Sequence, residues 1–307
     1  MLRLLLGGSP CQWWSQAKTI GRETEPTGIG WELFRNYLFA RQKYQPDFFL
    51  YENNKSMAKA VREQITAELG VEPIYINSAL VSAQNRQRLY WTNIPGVVQP
   101  EDRGILFRDI LESGEVWLDK SYCLTATQYK GVSLEHHLTH HVRILVAEPV
   151  PWNTTDTRGK PVRQIRDGQV EIRGKRLSIP LPDGLYTMRS PSALECMRLQ
   201  TVPEDYRFPV SRSRALALLG NGWTVQIISH ILSYCPGIRT EPLEVLSMYD
   251  GMSCGRLALR ELNTDVIRYC ATEIDPYAIR TTQANFPDTI QLGDAFQVRE
   301  DNWKIQN

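Results

Sequence analysis

Short apolar runs alternate with segments of helical periodicity at both ends of this chain, and that alternation limits its possible folds more than any other feature. We interpret as strands the apolar runs at residues 3–6, 48–51, 74–76 and 89–92, and as helices the segments at 30–43 and 57–69. A second series gives strands at 245–249, 266–272 and 290–292 and helices at 255–262 and 276–285. This order predicts a Rossmann-like α/β fold, with a mostly parallel sheet covered by helices on both faces.

The middle of the chain follows a different pattern. It begins with a helical patch at 105–112 and continues as short β-like pieces separated by turns, of which Asp167-Gly168 is a hairpin signal. We therefore divide the chain into residues 1–103, a small β-rich region at 104–186, a helical return at 187–235, a linker at 236–244 and a final α/β half at 245–307.

Basic side chains are concentrated in this middle region, although the whole chain has a net charge of only +1. Between residues 142 and 176 there are eight basic side chains and four acidic ones. Such a local excess suits contact with nucleic-acid phosphates, and it is equally typical of a solvated hairpin surface. The basic residues are Arg143, Arg158, Lys160, Arg163, Arg166, Arg173, Lys175 and Arg176.

The composition is that of a soluble globular protein. Hydrophobic residues make up 42% and charged residues 22%, and no apolar run approaches the roughly 20 residues that cross a bilayer. The six cysteines form no CxxC pair, and the histidines of 135–141 do not follow the HExxH pattern of zinc enzymes. We expect a cytoplasmic protein with no membrane segment, no disulfide framework and no metal.

Three strand ends in the final part of the chain have the pattern of a site for an adenosine-containing cofactor. A glycine turn lets backbone N–H groups approach a nucleotide closely, and an acid at the end of the second strand suits a ribose diol. The candidate cofactor-binding residues are Tyr249, Asp250, Gly251, Gly255, Glu273, Ile274, Asp294 and Ala295. A Rossmann-like scaffold without this ligand is the alternative. An NAD-dependent oxidoreductase fits the glycine turn only.

The first strand leads into Gly-Gly-Ser-Pro and then Cys11, at the edge of a parallel sheet where ligands bind. An isolated cysteine is usually a buried structural residue, but this setting favours a reactive thiol. Glu52 also follows a strand, where it is a candidate catalytic acid or a helix cap. Arg86 and Arg88 share one strand face, and they either bind a phosphate, hold a substrate carbonyl or lie on the surface.

These segments resemble the signature motifs of the cytosine-C5 DNA methyltransferases. The matching stretches include 8–12 (GSPCQ), 52–53 (EN) and 84–88 (QNRQR), and the resemblance extends to 189–200 and to 219–225 (LGNGWTV). The candidate cofactor residues match the cofactor motifs of the same family. The Gly-Asn-Gly-Trp form and the short middle region resemble most the branch that contains the vertebrate de novo enzymes and some bacterial or phage enzymes. The resemblance to the bacterial and phage enzymes implies a restriction–modification role.

The resemblance implies a mechanism and a set of partners. Cys11 would attack C6 of a cytosine flipped out of double-stranded DNA, and S-adenosylmethionine would donate a methyl group to C5. Glu52 would contact the N3 and amino edge, Arg88 the O2 side, and Arg86 would support the site or a phosphate. Asn221 and Trp223 would join the cofactor site. Residues 12–30 would form a mobile loop that closes over the DNA, and 104–186 would recognise the target.

The order of the motifs departs from the family pattern, in which the cofactor motifs come first. Here they follow the motif that contains Asn221, so the resemblance implies a circular permutation cut between the third cofactor strand and the strand before Cys11. Residues 236–242 would then join the original termini, which is tolerated when those termini lie close together.

Two other functions stay open at this point. A tRNA cytosine methyltransferase of the same fold would carry the same motifs, because a basic region suits structured RNA as well as duplex DNA. A catalytically silent DNA-binding homologue is the other alternative, although Cys11, Glu52, Arg88 and Asp250 are all present.

Overall fold

A computed structural model describes residues 1–16, 18, 20–151 and 159–301 of the chain. The first series of elements comprises β1 (Leu2–Gly7), α1 (Gly28–Tyr44), β2 (Phe48–Asn54), α2 (Lys59–Leu69), β3 (Ile74–Asn77) and β4 (Gln87–Thr92). The middle elements are α3 (Leu134–His140), β5 (Val146–Pro149), β6 (Arg163–Arg166), β7 (Gln169–Ile172), β8 (Lys175–Ser178) and β9 (Gly184–Arg189). Three helices follow, α4 (Ala193–Leu199), α5 (Arg212–Asn221) and α6 (Val225–Ser233). The last series is β10 (Leu243–Met248), α7 (Cys254–Glu261), β11 (Val266–Thr272), α8 (Pro276–Asn285), β12 (Ile290–Gly293) and α9 (Ala295–Glu300).

The two α/β series form one seven-stranded sheet, in the order β12-β11-β10-β1-β2-β4-β3. Every neighbouring pair is parallel except those that involve β4, which runs antiparallel to β2 and β3. The two ends of the chain meet at the centre of this sheet, because β1 pairs with β10 in register from Leu2 with Leu243 to Gly7 with Met248. The predicted α/β fold class is therefore confirmed.

The residues of β1 explain why helices cover both faces of the sheet. Leu4, Leu5 and Leu6 are all fully buried, and successive side chains of a strand point to opposite faces. Leu4 and Leu6 pack in the larger hydrophobic cluster, whereas Leu5 packs in a second cluster with α1 and α2. Three consecutive apolar residues in a strand need such a two-sided core.

A second sheet of five strands, in the order β5-β9-β6-β7-β8, is antiparallel throughout. Its buried face has a small core of its own that includes Ile165, Val170 and Ile172, and these alternate with exposed polar residues. The hairpin predicted at Asp167-Gly168 joins β6 to β7, with both residues at positive φ.

The segment 104–145 is divided between the two cores, with Leu134 and Leu145 in the core of the second sheet, so that sheet accounts for only part of the region 104–186. Phe107, Ile110, Leu124 and Ile144 are buried in the larger hydrophobic cluster. The helix predicted at 105–112 is wrong, because only a 3₁₀ turn at Phe107–Ile110 forms there. Its two buried side chains are three residues apart, which one 3₁₀ turn accommodates.

One segment, Arg212–Ser233, has the length and composition to cross a membrane, which the sequence analysis did not anticipate. Within it, α5 and α6 are separate elements, and 67% of its most apolar window is buried inside the protein. Leu216, Leu219 and Ile228 are fully buried in the main core, so we assign the segment to the core of the fold.

Candidate active site

Cys11 lies just beyond the carboxyl end of β1, at the start of a 3₁₀ turn, Cys11–Trp13. The neighbouring strand β2 holds this turn in place: Asn53 Nδ2 donates to the Ser9 carbonyl (3.1 Å), and the Ser9 and Tyr51 hydroxyls are 2.6 Å apart. Because β1 and β2 are parallel neighbours, their carboxyl ends meet and bring Cys11 and the end of β2 to the same edge of the sheet.

Glu52 is buried, and donors on both sides hold its carboxylate. Arg88 Nε lies 2.9 Å from Oε1, and the indole Nε1 of Trp223 donates to Oε2 at 2.9 Å. Arg88 reaches Glu52 because β4 pairs antiparallel with β2, with Arg88 opposite Asn54. This arrangement places a carboxylate and a guanidinium beside the Cys11 turn.

Burial and the neighbouring charges act in different directions on the pKa of the Cys11 thiol. Burial raises the pKa of the Cys11 thiol, while the positive charge of Arg88 lowers it and the negative charge of Glu52 raises it. Burial acts to lower the pKa of Arg88, but the facing groups Cys123, Glu52 and Cys11 raise it overall. Arg88 therefore stays charged and provides the cation that favours a thiolate at Cys11.

Arg86 is a brace between loops. Its guanidinium donates to the carbonyls of Leu124 (2.9 Å), Gly220 (3.2 Å) and Gly222 (2.7 Å), and it lies 3.3 Å from the sulfur of Cys123. Because the guanidinium is buried against these acceptors, the geometry favours the supporting role of Arg86 over phosphate binding.

A buried polar network supports the same loops. Gln84 Nε2 donates to Gln200 Oε1 (2.9 Å), and Gln200 Nε2 donates to the Leu219 and Gly222 carbonyls (2.6 and 3.0 Å). This network joins the segment before β4 to the end of α4 and to the turn between α5 and α6. Buried polar groups that are all paired rigidify a site.

Cys123 is a member of the site that the sequence analysis did not identify. Burial alone would raise the pKa of its thiol, but Arg86 and Arg88 lower it. Cys123 lies between the 3₁₀ turns Phe107–Ile110 and Gln128–Lys130 and follows no strand directly, so no local sequence pattern marks it. Only its contact with a residue 37 positions away reveals its location.

The glycine turn after β10 is held in an uncommon backbone conformation. Tyr249, Gly251 and Ser253 have φ values of 58°, 58° and 57°, which for the two residues with side chains is an unfavourable region. Glu273, at the end of β11, accepts a hydrogen bond from the Gly251 N–H (2.8 Å). Strain of this kind is concentrated at functional sites.

The other candidate cofactor residues differ in their surroundings. Asp250 points into the protein, where it accepts hydrogen bonds from Tyr269 (2.8 Å) and Ser253, and burial raises its pKa. Asp294 caps α9 through the Phe296 N–H (2.9 Å), and Ala295 is buried. Ile274 is 70% exposed at the mouth of the turn.

The turn has room for a ligand. A Cβ built on Gly251 would meet no atom within 4 Å, so the space above the turn is open. The Glu273 carboxylate contacts the Gly251 N–H, and the exposed Ile274 follows Glu273 directly in the chain. A carboxylate followed by an apolar side chain suits the ribose and adenine of a nucleoside. The residues present therefore fit an adenosine-containing cofactor.

The structure brings most predicted site residues to one edge of the sheet. Gly7 and Met248 are in register in adjacent parallel strands, so the turns that follow them, with Cys11 and Asp250, begin at the same level. Trp223 contacts Glu52, and Gly255 lies close to its ring. Asn221 is exposed at the end of α5.

The loop predicted at 12–30 is attached to its surroundings in this structure, apart from residues 17 and 19, which lie outside the described residues. The Glu23 carboxylate accepts from the Gly30 N–H (3.0 Å), and Arg22 donates to the Trp14 carbonyl (3.0 Å). Its closure over DNA stays a prediction.

The histidines of residues 135–141 lie in α3 and directly after it, and they do not form one cluster. His136 and His140 stack with ring centroids 4.1 Å apart, whereas His137 is buried and lies 3.1 Å from the Val142 carbonyl. Within the described part of the chain, no three His, Cys, Asp or Glu side chains come together as metal ligands.

The sheet is a Rossmann-like α/β sheet with a candidate cofactor turn and a candidate reactive cysteine at one edge. The family model for the C-5 cytosine-specific DNA methylases matches residues 2–95 and 123–236, and the chain belongs to that family. The predicted family membership is confirmed. Members of this family methylate cytosine at C5, and S-adenosylmethionine is the methyl donor that the family implies. Strands β10 to β12 lie outside both matched segments.

Individual relatives match less of the chain. The type II methyltransferase M.FnuDI of Fusobacterium nucleatum is 42% identical over 53 residues, which cover 17% of this chain and only 14% of that protein. The Entamoeba histolytica methyltransferase EhMeth is 11% identical with a TM-score of 0.46, covering 75% of this chain and 77% of its own. A putative DNA modification methyltransferase from an Escherichia coli prophage is 14% identical with a TM-score of 0.41, covering 84% and 78%.

Proposed function

We propose that this protein is a DNA cytosine-C5 methyltransferase that transfers a methyl group from S-adenosylmethionine to a flipped cytosine through a covalent bond between Cys11 and C6. The observation that carries the proposal is the grouping of Cys11, Glu52 and Arg88 at the sheet edge, with Arg88 Nε 2.9 Å from Glu52 Oε1. A thiolate, a carboxylate and a guanidinium together match the chemistry of the cytosine ring.

Cytosine C5 is a poor nucleophile, and the residues of the site would activate it. The Cys11 thiolate adds to C6, and the electrons of the C5–C6 double bond make C5 enamine-like. Glu52 faces the N3 and amino edge and Arg88 faces O2, where they stabilise the charge that develops on the ring. After methylation a base removes the C5 proton, the double bond re-forms, and the bond between C6 and the Cys11 sulfur breaks.

The cofactor half begins with β10, the strand beside β1, and would hold the methyl donor at the turn after β10. S-adenosylmethionine, when bound, supplies the methyl group as an electrophile. The Gly251 turn would take its nucleoside, with Glu273 at the ribose and Ile274 against the adenine. Asp250 would act indirectly, because its hydrogen bonds to Tyr269 and Ser253 hold the turn in shape.

The circular permutation is part of the proposal, and the strand order supports it. If β10 is counted as the first strand, the sheet order reads 3-2-1-4-5-7-6, which follows the doubly wound order up to its fifth strand. The connection from α6 to β10 is short, since α6 ends at Ser233 and β10 begins at Leu243. Such a link can join two original termini without disturbing the sheet.

We assign target recognition to the region 104–186 and double-stranded DNA to its basic residues. Arg166, Arg173, Lys175 and Arg176 are exposed on or beside the strands of the second sheet, where they could contact phosphates. Arg158 lies outside the described residues.

One experiment separates DNA from RNA as the substrate. Purified protein is incubated with tritiated S-adenosylmethionine and either duplex DNA or tRNA, and bisulfite sequencing locates the methylated cytosines. We expect label in DNA at a defined sequence context. Label in tRNA alone would contradict the DNA assignment, and the absence of a covalent adduct with 5-fluorocytosine DNA would indicate a silent DNA-binding homologue.

A further inference from the structure

The side chain of Trp223 lies where the Cys11 half and the cofactor half of the sheet meet. A Cβ built on Gly8, three residues before Cys11, would be 3.4 Å from its Cζ2 atom. A Cβ built on Gly255, in the first turn of α7, would be 3.6 Å from its Cζ3 atom. One indole ring therefore packs against the backbone of both halves.

The indole N–H is directed at Glu52. Nε1 donates to Oε2 at 2.9 Å, while Arg88 Nε holds Oε1 at 2.9 Å from the opposite side. The two donors come from elements that are distant in sequence, β4 and the turn before α6. Together they fix both oxygens of the carboxylate and hence the plane in which it presents its remaining lone pairs.

The backbone beside Trp223 is itself held in place. The Gly222 carbonyl accepts from Arg86 Nη2 (2.7 Å) and from Gln200 Nε2 (3.0 Å). On the other side, Thr224 Oγ1 donates to Gln200 Oε1 (3.0 Å). The ring is therefore a rigid support for the group it contacts.

We propose that Trp223 is a positioning residue that fixes Glu52 for the cytosine ring and does so through its indole N–H. The proposal rests on the proposed function, since it concerns the same carboxylate. With Arg88 as the one donor left to it among the residues that the structure describes, the carboxylate can turn about that single contact. Small displacements of a catalytic group greatly reduce rate, because the reacting geometry is reached less often.

The test is Trp223→Phe, which removes the N–H and keeps an aromatic ring. We expect kcat to fall about 10- to 100-fold, the range for one hydrogen bond to a charged group, with little change in the KM or Kd for S-adenosylmethionine. Unchanged kcat in Trp223→Phe would overturn the proposal.

Trp91→Phe is the matched control. The Trp91 indole N–H also donates at 2.9 Å, to Thr66 Oγ1 on α2. Trp91 is fully buried in the second hydrophobic cluster, where its ring packs against that of Tyr51 with centroids 5.8 Å apart, and its N–H bonds to α2 instead of to a residue of the site. This variant loses the same atoms and an indole hydrogen bond of the same length, although its acceptor is a neutral hydroxyl. We expect its kcat per folded molecule to equal that of the wild type.

A double-mutant cycle with Glu52→Gln distinguishes positioning from packing. If Trp223 acts through Glu52, its substitution should lower the rate much less in the Glu52→Gln background than in the wild type. An equal fractional loss in both backgrounds would mean that Trp223 acts elsewhere, and would overturn the proposal.

The same cycle in urea denaturation needs no activity. We expect the two substitutions to be coupled by roughly tenfold in the unfolding equilibrium constant. If the two substitutions are coupled in stability but the wild-type protein methylates neither DNA nor RNA, the proposed function alone is overturned. If their effects on stability are additive, the role of Trp223 is overturned.

Discussion

Substitution of Arg189 by methionine tests how the second sheet is attached to the rest of the protein. Arg189 ends β9 and reaches Glu195 in α4, with Nη1 2.7 Å from Oε2 and Nη2 2.8 Å from Oε1. It also contacts Glu148 at 2.5 Å. Glu195 is fully buried, so the variant would leave its carboxylate without a counter-charge inside the protein.

The size of the effect follows from those contacts. Removal of one partner from a buried ion pair costs about 3–5 kcal/mol, because the other charge stays buried and unpaired. The backbone N–H groups of Ser192 (2.7 Å) and Glu112 (3.0 Å) still donate to Glu195. We therefore expect the lower end of that range, about 3 kcal/mol, in urea denaturation at pH 7.

Two further variants sharpen this test. Arg260→Met removes an exposed ion pair with Asp205 (3.0 Å) and should cost at most about 1 kcal/mol. Arg189→Met combined with Glu195→Gln should recover much of the lost stability, because no buried charge is left. A loss below about 0.5 kcal/mol for Arg189→Met, or a double variant as unstable as the single one, would refute the reasoning.

The pH dependence of stability gives an independent check on the direction of the Arg189 effect. Burial would raise the pKa of Glu195, but Arg189 and the backbone donors lower it overall. A depressed folded pKa contributes stability that is present above the unfolded value, about 4.3, and lost as pH falls through the folded value. The stability difference between wild type and Arg189→Met should therefore shrink as the pH falls below about 4.3.

Three other substitutions have clear expected outcomes. Cys11→Ser should abolish methyl transfer in a tritium assay while calorimetry still detects S-adenosylmethionine binding, and loss of binding would contradict the separation of the two sites. Burial raises the pKa of Cys11 and Arg88 lowers it, so activity should rise with pH as the thiolate forms. Arg88→Met should move that rise to higher pH, and an unchanged pH–rate profile would contradict the role of Arg88. Gly220→Ala should destabilise the protein strongly in thermal denaturation, because the new Cβ would lie 2.2 Å from the Thr125 carbonyl carbon. An unchanged melting temperature would show that the segment around Thr125 moves to accommodate the methyl group.

The sequence predicted those features that depend on local patterns. Apolar runs and helical periodicity were sufficient for the α/β fold. Strand-end positions predicted that Cys11 and Glu52 lie at one edge of the sheet, while their catalytic roles stay predictions. Features that depend on contacts between distant segments were not predictable in this way. From the sequence, Trp223 is assigned to the cofactor site. In the structure its indole N–H donates to Glu52, which is 171 positions away. Cys123 and the bracing role of Arg86 depend on contacts of the same kind.

The pairing of β1 with β10 explains how the two ends of the chain can build one site. Six backbone pairs, from Leu2 with Leu243 to Gly7 with Met248, align the strands before they diverge into the Cys11 turn and the cofactor turn. In a parallel pair the register alone sets the relative height of the two carboxyl ends, whichever strand comes first in the chain. The site therefore depends on strand register more than on chain order, so a change of order that preserves this pairing would keep its geometry.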